Sequence, residues 1–245
     1  MNIKNLTFTA IAALTISVTT NAQISRIDDG QDVMNLKNVI DQNPKRTSSA
    51  SILEKPNLQG SPYWNEDFQS GKIINKESNK EIRNIRLRYR ILDDIIQLKD
   101  NNSDDFMTLD RSQNLIIYIN RQKFVFLENY PININGTNNG YSIELFNSKK
   151  ASLLKRISQN YVEGREADNS YSASIPPKLE KKINYFVKIK EDKILAIEPH
   201  RKRAADAFPD HQDEVKSFIK KNKLKFRGSD EEADLIKLVE YYSAL

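Results

Sequence analysis

The sequence predicts an α+β protein: an antiparallel β-meander, curved or barrel-like, followed by a C-terminal helical hairpin. Between Gly60 and Pro199 apolar residues recur with period two, in short runs separated by turn residues. After Pro199 the period becomes helical. Strands in series followed by helices in series is the α+β order. The 245-residue chain contains no cysteine, so thiolate metal sites, iron–sulfur clusters, disulfide frameworks and cysteine nucleophiles are all excluded.

The chain begins with a short basic head, Lys4, and an uncharged apolar run over 6–18 that ends in Thr19, Thr20, Asn21, Ala22 and Gln23. That is the pattern of a secretory signal peptide, 1–22, with cleavage expected after Ala22. The run is shorter than the roughly 20 residues a membrane span needs, and no longer apolar run follows. With no cysteine at the cleavage point, no diacylglyceryl anchor is expected. Residues 23–59 read as a flexible N-terminal segment, with one amphipathic stretch at 32–40 and a Pro- and Ser-containing linker expected to be disordered over 40–55.

A β domain is expected over 60–198. Arg86, Arg88 and Arg90 alternate with Leu87, Tyr89 and Ile91, as in a half-buried strand. Further strands are expected at 71–75, 95–99, 106–109, 115–119, 123–127, 141–146, 152–157, 183–189 and 194–197, giving eight to ten in all. Turns fall at Asp93-Asp94, Asn120-Arg121 and Glu191-Asp192, a longer Asn-rich loop over 133–140, and a polar loop over 158–178.

The helical segment is 199–245. Its first helix is expected over 199–208, opened by Pro199 and closed by Pro209. Asp210 with Asp213 suggests a capping arrangement for the second, and Ser229 with Glu232 a capping box for the last.

The run Gly60-Ser61-Pro62-Tyr63-Trp64-Asn65-Glu66-Asp67-Phe68 opens the strands. The chain closes on Phe208-Pro209-Asp210-His211-Gln212-Asp213-Glu214-Val215, Phe218-Ile219-Lys220-Lys221-Asn222-Lys223-Leu224 and Asp234-Leu235-Ile236-Lys237-Leu238-Val239-Glu240-Tyr241-Tyr242. Together with the Asn-Ala-Gln end of the signal peptide, these motifs resemble an uncharacterised family of small exported proteins of Bacteroidetes-type bacteria. The resemblance covers roughly 58–245. It implies export and the extent of the domain, and it brings no catalytic or ligand residues.

No nucleophile elbow, P-loop or dinucleotide fingerprint occurs, and seven glycines leave little material for a phosphate cradle. His200 and His211 lie eleven apart across the Phe208-Pro209 break, which is not metal-ligand spacing. Adjacent carboxylates such as Asp93-Asp94 and Asp104-Asp105 point to opposite faces of a strand or, in a turn, to water. The Asn- and Asp-rich 100–105 lacks the glycine and terminal glutamate of an EF-hand and reads as a hairpin turn. No catalytic residue, metal or cofactor is therefore expected.

Binding candidates remain. Three like charges on one strand face repel, so Arg86, Arg88 and Arg90 need acidic cross-strand partners, a concave lumen or a ligand. Tyr63 and Trp64, close to Phe68, can stack on a sugar or a partner, although such residues more often plug the end of a sheet. After removal of 1–22 the chain carries 37 basic and 33 acidic residues. The half up to residue 148 has 16 and 17, and the half from 149 on has 21 and 16. The excess thus lies in the C-terminal half, where Lys221, Lys223, Lys225 and Arg227 form either a solvated helix-end face or a docking surface for an acidic envelope protein or anionic glycan. Nucleic acid is not an expected partner, because acidic residues are interspersed and no RNA-binding strand signature occurs. The functional expectation is an exported, soluble, non-enzymatic ligand- or partner-binding module. The alternatives are a hydrolase or carbohydrate-active enzyme with a dispersed carboxylate site, and an inhibitor or assembly factor acting through the C-terminal helices.

Overall fold

A computed structural model describes residues 49–99, 106–133, 136–167, 169, 171–190 and 193–245. The expected signal peptide, the amphipathic stretch at 32–40 and the turns at 100–105 and 191–192 lie outside the described residues. So does the linker up to residue 48. Within its last part Ala50–Leu53 form one helical turn, α1.

Ten strands follow: β1 (Gln69–Asn75), β2 (Glu81–Arg90), β3 (Ile95–Lys99), β4 (Phe106–Thr108) and β5 (Leu115–Ile119), then β6 (Gln122–Asn133), β7 (Gly136–Asn147), β8 (Ala151–Val162), β9 (Lys178–Ile189) and β10 (Lys193–Ile197). Each contains or overlaps one run of alternating sequence. They form a single antiparallel sheet in the order β10-β9-β8-β7-β6-β5-β1-β2-β3-β4. The link over 109–114 carries the chain from edge strand β4 back to β5, which pairs with the free side of β1. Asn120 and Arg121 join β5 to β6 with φ of 45° and 69°, the two left-handed residues of a type I′ hairpin.

The sheet is open but rolled. β2 and β8 are five strand spacings apart, roughly 24 Å on a flat sheet. Even so, the Tyr89 hydroxyl on β2 lies 3.4 Å from the Ile157 carbonyl on β8. Inside the roll, Leu87, Tyr89, Ile96, Ile117, Phe124, Tyr141 and Ile157 form one apolar core, filled by side chains. This is the period-two alternation of the sequence turned inward, and burying each such side chain stabilises the fold by about 1.5–3 kcal/mol.

A second core lies between β8–β10 and the C-terminal helices, α2 (Gln212–Lys221) and α3 (Glu231–Ala244). Leu153, Val187 and Ile197 meet Phe208, Val215, Ile219, Leu235, Leu238 and Tyr242 there. No helix among the described residues is long and apolar enough to cross a membrane.

Four local expectations are corrected. The first helix expected over 199–208 shrinks to a 3₁₀ turn at Ala204–Ala207, where three alanines are buried against the second core and Pro209 stops propagation. Asp210 does not cap α2, whose N-cap is His211; its carboxylate accepts the buried Tyr242 hydroxyl instead, at 2.9 Å. The Ser229–Glu232 box does not form, because Gly228–Asp230 is a 3₁₀ turn and Glu232 pairs with Lys155 and accepts the Tyr185 hydroxyl. In each case a tertiary partner outbids local capping chemistry. Finally, the loop expected over 133–140 is largely strand, and the one expected over 158–178 is shortened at its start to 163–177. β6 and β7 continue to Asn133 and from Gly136, and β8 runs to Val162. Long hairpins tolerate polar residues on a solvated face, which removes the alternation that sequence reading relies on.

Candidate functional site

The arginine row and the aromatic run turn out to be partners of each other. Even-numbered Arg86, Arg88 and Arg90 share one face of β2, while Leu87 and Tyr89 enter the core. Pro62, Tyr63 and Trp64 continue the line of β1 beside the end of β2. The Trp64 N–H donates to the Tyr89 carbonyl at 3.0 Å, and the Ile91 N–H to the Pro62 carbonyl at 2.7 Å. This places the Arg88 guanidinium between the Tyr63 and Phe68 rings, 3.9 and 4.2 Å from their centroids. Arg88 also donates to the Glu66 carbonyl and, through Nε and Nη2, to the amide oxygen of buried Gln97. Arg86 donates to the Phe68 carbonyl, and Arg90 pairs with Asp93. Trp64 packs edge-on against Phe124 at 5.5 Å. Repulsion along the row is thus offset by carbonyls, ring faces and one carboxylate of the chain itself.

Lys221, Lys223, Lys225 and Arg227 are exposed between the two C-terminal helices. Leu224 and Phe226 alternate inward, and the main-chain N–H groups of Lys225 and Phe226 both donate to buried Asp234 at 2.7 and 3.1 Å. Asp234 fixes the ridge; the cations on it point to solvent.

A site that the sequence reading missed lies on the sheet face opposite the second core. The even-numbered residues Arg156, Ser158 and Asn160 of β8 stand beside Lys182, Asn184 and Phe186 of β9. With Asn138, Pro131, Glu198 and Pro199 they line a cleft of about 640 Å³. Leu154, Phe186, Val125, Leu127 and Ile194 form a small apolar cluster on the same face. Arg156 passes across β7 at Gly140, where any Cβ would fall inside its guanidinium group. It then pairs with Asp94 at 3.5 Å and donates to the Tyr141 carbonyl at 3.2 Å.

Asp94, in the left-handed turn after β2, also accepts the Tyr89 hydroxyl at 2.7 Å and the Tyr141 N–H at 3.2 Å. Burial, reinforced by the Asp94 charge, pushes the Tyr141 phenol well above its ordinary range. The Asp94 node therefore both closes the seam of the roll and anchors the charged wall of the cleft.

Chemically the cleft is a hydrogen-bonding surface of amides, a hydroxyl and cations. Among the described residues that line it the one carboxylate, Glu198, is exposed and held bidentately by Arg203 at 2.9 Å. A second groove of about 650 Å³ between 55–59, 161–166 and 174–177 has exposed Glu163 and Glu166 on its rim. The signal for the main cleft was present at Ser158, Asn160, Lys182 and Asn184, small or polar residues at alternate positions. Only the pairing of β8 with β9 shows that they converge. No family model matches the chain, and no curated protein or solved structure matches it either.

Proposed function

We propose that this chain is an exported, non-enzymatic binding module whose ligand lies in the cleft between β8, β9 and the end of β10. The observation that carries the reading is the composition of that cleft. Asn138, Asn160, Asn184 and Ser158 offer donors and acceptors without a second carboxylate to serve as acid or base. The interior of the roll weighs in the same direction, because the described residues fill it with apolar side chains. Export rests on the basic head, apolar run and Ala22-Gln23 junction of the sequence and on the family resemblance. The partner class is an envelope protein or an anionic glycan.

Two measurements test this. Calorimetric titration of the full mature chain with soluble peptidoglycan fragments and with synthetic extended peptides should give saturable heat with at least one class. Asn160→Trp, which fills the cleft from an exposed position, should abolish that heat without altering the melting curve. Turnover of either probe, lost on one side-chain substitution, would establish the hydrolase alternative instead. Fractionation of expressing cells should recover the chain outside the cytoplasm with Gln23 at its N-terminus; an intact Met1 would refute export.

A further inference from the structure

The long strand β9 is only partly covered on its outer side. β10 pairs with it over Tyr185–Ile189, and Gln59 pairs with Lys178 in parallel at the other end. The Gln59 N–H donates to the Pro177 carbonyl and the Leu179 N–H to the Gln59 carbonyl, at 2.9 and 2.8 Å. Main-chain groups of odd-numbered residues therefore face this edge, and the β8–β9 ladder runs without a register shift. Lys181 and Ile183 lie between the two covered stretches. Among the described residues no main-chain hydrogen bond reaches their outward N–H and C=O groups.

Both ends of the gap are set by particular residues. At Gly60 the chain turns away with φ of +87°, where a Cβ would sit 2.8 Å from the Leu179 carbonyl. It then crosses to the other face, where Gln159 holds the Ser61 carbonyl and Lys181 Nζ holds the Tyr63 carbonyl. At the other end, Pro199 has no N–H with which to extend the β10 ladder. From Leu179 to Tyr185 the open edge measures roughly 20 Å, room for about four extended residues. It borders the cleft directly, since Lys182, Ile183 and Asn184 belong to the lining.

We infer that the ligand of the cleft is an extended acidic peptide segment of another protein, which completes the sheet by pairing with Lys181 and Ile183. The inference rests on the binding-module reading and names its partner. Main-chain pairing supplies affinity in this mode, and side-chain pockets beside the edge supply specificity. Charge sets the sign. Lys178 and Glu180 neutralise each other and Glu198 is taken by Arg203, whereas Lys182 has no acidic partner among the described residues and Lys181 meets only a carbonyl. Lysines on an edge also deter self-pairing, which favours an acidic strand over a second copy of this chain.

The test uses the full mature chain, a synthetic peptide of about eight residues alternating Glu and Val, and the same peptide N-methylated on alternate amides. Binding should slow hydrogen exchange at the Lys181 and Ile183 amides by about tenfold or more. The N-methylated peptide, with unchanged charge, should fail to protect them. Ile183→Pro removes one outward N–H at a half-exposed edge position and should weaken binding at least tenfold; if it unfolds, the N-methylated peptide decides alone. Equal binding of the N-methylated peptide would overturn the inference. So would protection that appears on raising protein concentration without peptide, since a second copy would then be the occupant. A peptidoglycan fragment that perturbs Asn160 and Asn184 without protecting Lys181 or Ile183 would overturn the peptide inference and leave the binding module standing. No response at the cleft to any probe would sink both.

Discussion

Asp94→Ala is the sharpest perturbation of this fold, because one carboxylate ties β2 to β7 and β8, which lie four and five strand spacings away in the sheet. Asp94 accepts the Tyr89 hydroxyl from β2, the Tyr141 N–H from β7 and the Arg156 guanidinium from β8. Some of these donors keep a partner after truncation: Tyr89 still reaches the Ile157 carbonyl, and Arg156 the Tyr141 carbonyl. The Tyr141 N–H does not, and an unmet buried donor costs about 1–3 kcal/mol. Arg156, only 12% exposed, loses its Asp94 carboxylate, a loss in the range of about 3–5 kcal/mol when a buried pair is broken. Alanine at the φ of 54° adds about 1 kcal/mol that aspartate largely avoids. These contributions share partners and do not add, so the expected total is about 4 kcal/mol. In a protein of this size that is a fall in melting temperature of about 10 °C. The assay is urea unfolding with Asp94→Ala, Asp94→Gly and Asp94→Asn compared. Glycine should recover about 1 kcal/mol of the alanine loss through its backbone. Asparagine should lose only about 1–2 kcal/mol, because its carbonyl can keep two of the bonds. An alanine variant within about 1 kcal/mol of wild type would refute the idea that this node holds the roll shut.

Arg121→Gly should stabilise the protein by about 0.5–1 kcal/mol in the same assay, since Asn-Gly suits a type I′ turn and arginine does not; a loss would mean that the arginine side chain has a role. Arg88→Lys should cost about 1–2 kcal/mol, because an ammonium cannot both stack between two rings and fork to Gln97; a silent substitution would show that the aromatic run packs without it. Stability should hold up to about pH 10 and then decline, because Tyr141, Tyr185 and Tyr242 are raised in the fold while the unfolded phenols titrate near 10. Burial is the leading cause in all three, with Asp94, Glu232 and Asp210 respectively adding to it, and Tyr242 is pushed up to about 12. A raised folded value means stability present below the unfolded value and lost as pH climbs through the folded one. Urea midpoints against pH should therefore bend downward there, and tyrosinate absorbance should rise together with unfolding. Tyrosinate forming in the native state near pH 10 would contradict it.

The strands were legible because period-two alternation is written by the core itself: Leu87, Tyr89 and Ile91 must point inward wherever β2 lies. The helix caps were not legible. Asp210 and Glu232 could serve a local N–H or a distant hydroxyl and ammonium, and only the packing of α3 decides between them. The arginine row was recognised as needing partners, yet only Arg90 finds a carboxylate, Asp93, whereas Arg86 and Arg88 are met by ring faces, main-chain carbonyls and the Gln97 amide, which carry no charge in the sequence. The cleft was least visible. Ser158, Asn160, Lys182 and Asn184 look like loop residues until β8 and β9 pair across the intervening chain of 163–177.

The most direct test of the cleft as the binding site is an amide-resolved NMR titration of the full mature chain with the peptidoglycan fragments and the acidic peptide. Perturbations confined to Ser158, Asn160, Lys181, Lys182, Ile183 and Asn184 are the expected result. Perturbations confined to Lys221, Lys223, Lys225 and Arg227 would instead place binding on the helical ridge and contradict the account.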